Sequence, residues 1–145
     1  MHLIAGILIG SATIALAVLI SSTFGDLDFS LNTPDSGAVA QTLLSSLIVF
    51  GAAAAFEEAL FRGYILQTFA RSGLAWLAIL LTSVFFGLVY LGNPNVTLLS
   101  TLNTALAGVW FGVAYLKTRD LWFVWGAHLM WNWVQGSVFG IEVSG

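Results

Sequence analysis

Residues 49–62 read VFGAAAAFEEALFR, which places two adjacent glutamates and an arginine in the most apolar part of the chain. Burying an unpaired charge in lipid or among apolar side chains costs several kcal/mol, so a membrane helix keeps such residues for a purpose. Glu58 and Arg62 are spaced i, i+4 and share a helix face, which predicts an ion pair between them. Glu57 points about 100° away and has no local partner, so it is a candidate to take a proton from water.

The composition predicts an integral membrane protein of the all-α class. Of the 145 residues, 59% are hydrophobic and 8% are charged, and the mean hydropathy is +0.95. The absence of cysteine excludes disulfides, thiolate metal sites and cysteine nucleophiles. The net charge is only −3 and there is no basic run, so nucleic acid is not an expected partner.

Five runs are long and apolar enough to cross about 30 Å of hydrocarbon, which predicts a polytopic transmembrane helical bundle of about five spans. The second run is too long for one span. We expect its span to end near Leu60 and to continue as an interfacial or protruding extension, bent near Gly63. The runs are Leu3–Phe24, Ala38–Phe69, Leu74–Leu91, Val96–Leu116 and Leu121–Phe139.

The basic residues predict an orientation. Three of the four lie in the connectors after the second and fourth runs, whereas the first connector carries only acidic charges. By the positive-inside rule these two connectors and the N-terminus are cytoplasmic, and the C-terminus is outside. We expect a prokaryotic plasma membrane, with the lipid bilayer as a partner and an uncleaved first span. We divide the chain into an N-terminal transmembrane helix with its outer loop, residues 1–37, and a membrane core, residues 38–145.

A second polar pair lies on the last run, where residues 125–133 read WGAHLMWNW. His128 and Asn132 are spaced i, i+4, so one helix face presents both side chains, and both can donate hydrogen bonds. Such a pair either holds membrane helices together or forms part of a site.

Helix geometry predicts which of these residues meet. If the second and third runs form a hairpin that turns at Gly73, Glu57 and Tyr90 both lie about 25 Å from the turn and face each other. His128 lies only about 12 Å from its own connector. Glu57, Tyr90 and His128 therefore lie at one depth if the hairpin protrudes about 12 Å beyond the connector that precedes the last run.

With these motifs the sequence resembles the CPBP family, the CAAX prenyl protease and bacteriocin-processing (Abi) membrane endopeptidases. Residues 57–63, EEALFRG, are close to the first family motif, and residues 85–95 and 128–140 look like the second and third. The family's second motif is Phe-x-x-x-His, and here Tyr90 follows Phe86 at the position of the histidine. The resemblance covers about residues 50–140. Because family members commonly have more than five spans, residues 38–145 resemble a CAAX-protease-like core, truncated from a larger family fold.

The resemblance implies an intramembrane endopeptidase that hydrolyses peptide bonds of lipidated or hydrophobic substrates, including prenylated peptides, with a glutamate-activated water and no cofactor. In this interpretation Glu57 is the general base, and His128 and Asn132 donate hydrogen bonds to the oxyanion. The implied catalytic residues are Glu57, Glu58, His128 and Asn132, with Arg62 in the ion pair and Tyr90 in a positioning role.

Three alternatives stay open. A zinc site formed by Glu57, Glu58 and His128 ranks lower, because the His-Glu-x-x-His pattern is absent and a single good nitrogen ligand is present. Tyr90 favours a catalytically impaired family member that acts as a membrane peptide-binding, immunity or scaffold protein, since a tyrosine cannot replace histidine as a base near neutral pH. A small transporter or channel subunit is the third alternative, although no inverted repeat is present.

Overall fold

The computed structural model describes residues 1–25, 27, 29 and 35–143, and all regular secondary structure within these ranges is helical. Two π-helical segments, Ala59–Leu66 and Val134–Val138, directly follow α2 and α6, and a 3₁₀ turn, Tyr90–Gly92, follows α4. The predicted all-α bundle is confirmed. The α-helices are α1 (His2–Phe24), α2 (Ser36–Glu58), α3 (Gln67–Arg71), α4 (Ala75–Val89), α5 (Leu98–Thr118) and α6 (Leu121–Trp133).

Each predicted run corresponds to a helix. Among the described residues, four helical stretches are long and apolar enough to cross a membrane: His2–Phe24, Ser36–Arg71, Ala75–Gly92 and Leu98–Thr118. The fifth predicted run corresponds to α6 with its π segment, which is shorter than these four stretches and runs alongside them. The second stretch is continuous over 36 residues. Its helical pattern changes from α to π directly after Glu58, close to the predicted end of the span.

The two ends of the bundle carry different connectors. At one end His2 Nδ1 lies 2.7 Å from Asp120 Oδ2, so the N-terminus meets the connector between α5 and α6. At the other end Asn95 Nδ2 donates to both carboxylate oxygens of Glu142 at 3.2 and 3.3 Å, so the connector after α4 meets the C-terminal segment. We call these the Asp120 end and the Glu142 end.

Of the first connector, Asp26, Asp28 and Pro34 lie outside the described residues, as do Ser144 and Gly145.

The hairpin formed by the second and third stretches extends past the start of α6. A Cβ atom on Gly63 would lie 3.3 Å from Leu121 Cδ1, so the first residue of α6 packs beside Gly63. Arg71, at the end of α3, is eight residues further along, or about 12 Å. The extension therefore has the length that the sequence predicts. Near the Asp120 end the helices enclose a buried apolar cluster of Leu66, Ala78, Tyr115 and Val124.

Helix α1 packs on α6 by direct backbone contact. Its buried stripe consists of four residues spaced four apart: Gly6, Gly10, Ile14 and Val18. A Cβ atom on Gly10 would lie 2.3 Å from the carbonyl oxygen of Ala127, where no real side chain fits. Two glycines spaced by four allow this close approach, as in other membrane helix pairs.

We expect Gly10→Ala to lower the free energy of unfolding by about 1–3 kcal/mol, the usual cost of overpacking, although alanine favours helices over glycine. The measurement is reversible unfolding in detergent. Gly92→Ala is the matched control, because no atom lies within 4 Å of a Cβ atom placed there. Equal stability of the two variants would contradict the close α1–α6 contact.

Helix α2 packs antiparallel to α6 through indole hydrogen bonds. Trp125 Nε1 donates to the carbonyl of Gly51 at 2.9 Å, and Trp133 Nε1 donates to the carbonyl of Leu43 at 3.0 Å. The two tryptophans are eight residues apart on α6, and their two acceptors are eight residues apart on α2. Both contacts therefore fit one antiparallel register. The described part of α6 therefore lies between α1 and α2 and carries His128 into the bundle.

Candidate active site

One carboxylate oxygen of Glu58 joins two helices, its own continuous stretch and α6. Arg62 Nη1 donates to Glu58 Oε1 at 2.9 Å, which is the predicted i, i+4 ion pair. His128 Nδ1, from α6, lies 2.8 Å from the same oxygen. All three side chains are buried. Because Glu58 pairs with a cation, Nδ1 is best assigned as the protonated nitrogen that donates to it, which fixes the orientation of the ring.

Arg62 also contacts α5 and two aromatic rings, while its Nε has no hydrogen-bond partner among the described residues. Its Nη2 donates to the carbonyl of Gly108 on α5 at 3.0 Å. The guanidinium carbon lies 5.2 Å from the ring centre of Phe86 and 5.3 Å from that of Phe111, so two aromatic faces cover the cation. A Cβ atom on Gly108 would lie 2.9 Å from Ser83 Cα, so a glycine is needed here for α5 to pack this close to α4.

Glu57 faces Tyr90 and His128. The Tyr90 hydroxyl donates to Glu57 Oε1 at 2.8 Å, so the two residues meet at one depth, as the hairpin geometry predicts. The other oxygen, Oε2, lies 3.8 Å from His128 Nε2 and has no hydrogen-bond partner among the described residues. Glu57 was predicted to have no partner on its own helix, and the partner of Oε1 comes from the 3₁₀ turn that follows α4.

Two aromatic rings hold the imidazole of His128 in place. Phe111 stacks on it with ring centres 4.7 Å apart and an interplanar angle of 24°, and Phe86 packs against it edge-on at 5.9 Å. The side chain of His128 is only 3% exposed, whereas that of Glu57 is 21% exposed. Glu57 is therefore the more exposed partner, although its Oε2, the oxygen that faces His128, is itself buried, and of the two residues only His128 lines the cavity described next.

A cavity of about 300 Å³ extends from His128 toward the Glu142 end. Asn132 lines it one helical turn after His128, as their spacing predicts. The amide of Asn132 makes no hydrogen bond with the described residues, which leaves it available to a ligand. The other polar side chains that line the cavity are Thr97, Ser100, Asn103, Thr104, Gln135 and Glu142.

The two glutamates and His128 do not converge on one point. Glu58 contacts Nδ1 of the imidazole and Glu57 faces Nε2, and these nitrogens lie on opposite sides of the ring. Within the described ranges no group of three or more His, Cys, Asp or Glu side chains is arranged to hold a metal ion. A zinc site formed by these three residues would need a different arrangement, and the metal-free mechanism stays a prediction.

The structure brings Glu57, Glu58, Arg62, Tyr90 and His128 into contact and places Asn132 beside them. Nothing in the sequence predicted the contact between His128 and Glu58, or the stacking of Phe111. Each of the two motifs is closely followed by a π segment, after Glu58 and after Trp133. Segments of this kind inside α-helices occur frequently at functional sites.

A family model described as type II CAAX prenyl endopeptidase, Rce1-like, matches residues 39–134, about two thirds of the chain. The chain belongs to this family. The Rce1-like match contains Glu57, Glu58, Tyr90, His128 and Asn132, and it confirms the family resemblance that the motifs predict. Searches of curated proteins and of solved structures each gave no match.

Membership of the Rce1-like family, together with four apolar helices, makes this an integral membrane protein of a protease family. Helix α1 lies outside the matched residues, whereas α2 to α6 lie almost entirely within them. The Rce1-like part of the chain thus contains the contacting side chains of the candidate site, whereas Gln135 and Glu142 of the cavity lie beyond it, and α1 supports the site through α6. That Tyr90 stands in for a family histidine stays a prediction.

Proposed function

We propose that this protein is an intramembrane endopeptidase that hydrolyses peptide bonds in lipidated or hydrophobic substrates with a water activated by Glu57. The observation that carries the proposal is the buried, unpartnered Oε2 of Glu57, 3.8 Å from Nε2 of His128, a residue that also lines a polar cavity. A direct hydrogen bond would be shorter than this. A water between the two atoms would donate one hydrogen to each and keep a lone pair for attack.

In the proposed reaction the water oxygen attacks the substrate carbonyl while Glu57 takes a proton from the water. Glu57 then passes that proton to the leaving amine. The tetrahedral intermediate carries a negative charge on the former carbonyl oxygen. Asn132, which lines the cavity, donates to this oxyanion, and such a donor contributes roughly 3 kcal/mol. In this proposal His128 accepts from the water through Nε2, so Asn132 is the donor to the oxyanion.

Glu58 and Arg62 position the reacting groups in this proposal. Glu58 accepts from Nδ1 of His128, so Nε2 points at Glu57. Arg62 balances the charge of Glu58 and anchors it to the Gly108 carbonyl on α5. Each carboxylate then has its own role, one in proton transfer and one in orientation, because only Glu57 is partly exposed.

We also propose that the N-terminus is cytoplasmic and the C-terminus is outside. The four Lys and Arg residues support this: Arg71, Lys117 and Arg119 all belong to connectors or helix ends on the side of Asp120, and Arg62 is internal. Positive charge accumulates in cytoplasmic connectors. A prokaryotic plasma membrane remains the expected location.

The test is cleavage of prenylated and transmembrane peptides by the purified protein, with Glu57→Ala as the background control. We expect measurable cleavage by the natural chain. Tyr90→His should raise kcat/KM by up to about 10²-fold, because a histidine beside Glu57 can act as a second base where tyrosine only donates a hydrogen bond. Tyr64→His, at an exposed tyrosine of the first π segment, is the matched control.

If neither the natural chain nor Tyr90→His cleaves any peptide faster than Glu57→Ala, the enzyme proposal fails. A non-catalytic peptide-binding protein would then be the better account. The Tyr90 hydroxyl, which occupies one oxygen of Glu57, is the observation that favours this second function.

A further inference from the structure

The chain folds back across the cavity after the second π segment, Val134–Val138. Gly140 has a φ of +67°, a conformation that favours glycine, and nothing lies within 4 Å of a Cβ atom placed there. Residues 140–143 then return along the π segment, and Glu142 and Val143 line the cavity. We call residues 140–143 the return segment. It forms part of the cavity wall at the Glu142 end.

One side of the return segment is fastened to the π segment. The Ile141 amide donates to the backbone carbonyl of Gln135 at 3.0 Å, and Gln135 Nε2 donates to the backbone carbonyl of Glu142 at 2.6 Å. A Cβ atom on Gly136 would lie 3.0 Å from Val143 Cγ2, so the Val143 side chain packs directly on this glycine. This side therefore combines backbone hydrogen bonds with apolar packing.

The other side of the return segment is joined to the connector between α4 and α5 by side chains. Asn95 Nδ2 donates to both carboxylate oxygens of Glu142, at 3.2 and 3.3 Å. Asn95 has a φ of +61°, a left-handed conformation that asparagine adopts more readily than most residues. Because both residues are exposed, water can replace these hydrogen bonds at low cost. This side is the easier one to release.

The cavity behind the return segment has a second opening, which faces lipid. Asn103, Ala107 and Trp131 line both the cavity and an adjoining slot of about 190 Å³, which Thr13 and Leu106 also line. The slot lies between α1 and α5, two membrane-spanning helices that do not contact each other within the described residues. Polar molecules in water therefore have the Glu142 end as their route to the cavity.

We propose that the return segment is a lid that restricts the aqueous opening of the cavity, with the hydrogen bonds between Asn95 and Glu142 as its latch. The lid opens on the side of Asn95, and Gly140 provides the freedom for it to turn. In the closed state polar molecules are kept from Asn132. The latch shifts the equilibrium between the two states toward the closed one. This inference does not depend on the proposed peptidase activity.

The experiment measures access to the cavity with a single thiol. The chain has no cysteine, so Thr104→Cys introduces one at a position that lines the cavity and is 8% exposed. The readout is its rate of modification by a charged, water-soluble methanethiosulfonate, on protein in lipid nanodiscs. Adding Asn95→Asp should raise this rate about five-fold or more, because a hydrogen bond is replaced by repulsion between two carboxylates.

Exchanging donor and acceptor tests the latch itself. When Glu142→Gln is added to Asn95→Asp, the new carboxamide can donate to the new carboxylate, so the rate should return close to that of Thr104→Cys alone. Ser36→Cys, at the exposed start of α2 and away from the cavity, is the matched reporter. Its rate should be equal with and without the changes at Asn95 and Glu142.

Two results would overturn the proposal. One is a Thr104→Cys rate that Asn95→Asp leaves unchanged, since the latch would then not control access. The other is a raised rate that persists after the exchange, which would mean that Asn95→Asp loosens the connector rather than the latch. A parallel rise at Ser36→Cys would also count against the lid, because it would show a general loss of structure.

Discussion

Glu57→Gln is expected to lower kcat/KM by about 10²–10⁴-fold, the usual contribution of a general base. Glutamine has nearly the same shape, and its carbonyl oxygen can still accept the hydrogen bond from the Tyr90 hydroxyl. It cannot accept a proton from water. The variant therefore tests proton transfer alone. A change to alanine would remove both the base and the group that positions the Tyr90 hydroxyl. The measurement is steady-state cleavage of a peptide substrate, with the free energy of unfolding measured on the same preparation.

Asp35→Asn serves as the control for this change, because it also replaces a carboxylate by an amide, at the N-cap of the same continuous helical stretch but away from the site. It should keep full activity. Glu57→Gln should unfold at the same denaturant concentration as the natural chain. Retention of more than a tenth of the activity would show that another group takes the proton.

Arg62→Met is expected to destabilise the protein by about 3–5 kcal/mol, the cost of leaving one partner of a buried ion pair uncompensated. The side chains of Glu58 and Arg62 are 2% and 1% exposed, so water cannot replace the lost partner. The Gly108 carbonyl also loses its donor. Unfolding in detergent followed by circular dichroism measures the effect.

The double variant Glu58→Gln with Arg62→Met should recover part of this loss. It removes the unpaired charge, and the glutamine oxygen can still accept from His128 Nδ1. Arg71→Met, at the exposed end of α3, removes an arginine without any buried partner and should change stability little. If the single and double variants are equally unstable, the ion pair does not carry the stability of this part of the bundle.

Local helix geometry made part of the site predictable. The Glu58–Arg62 pair and the shared face of His128 and Asn132 follow from i, i+4 spacing, which any helix imposes. The meeting of Glu57 with Tyr90 follows from counting residues on both sides of one tight turn. These predictions needed only the rise per residue and the position of the connector.

Lateral packing of the helices could not be predicted in the same way. His128 reaches Glu58 because α6 lies between α1 and α2, and spacing along one helix contains no information about which neighbour it packs against. The two π segments depend on hydrogen bonds that no composition rule specifies. One signal was present, since Gly6 and Gly10 have the spacing of a close helix contact, and their partner on α6 is the backbone at Ala127.

The opposite placement of the cavity and the basic connectors would give the proposed hydrolysis a direction across the membrane. The cavity opens toward Glu142, while the apolar cluster of Leu66, Ala78, Tyr115 and Val124 fills the bundle near Asp120. A substrate segment and the polar fragments made from it would therefore arrive from and return to a single aqueous compartment. With the N-terminus in the cytoplasm, as proposed, that compartment would be the cell exterior, and peptides that never enter the cell would be accessible to the proposed endopeptidase.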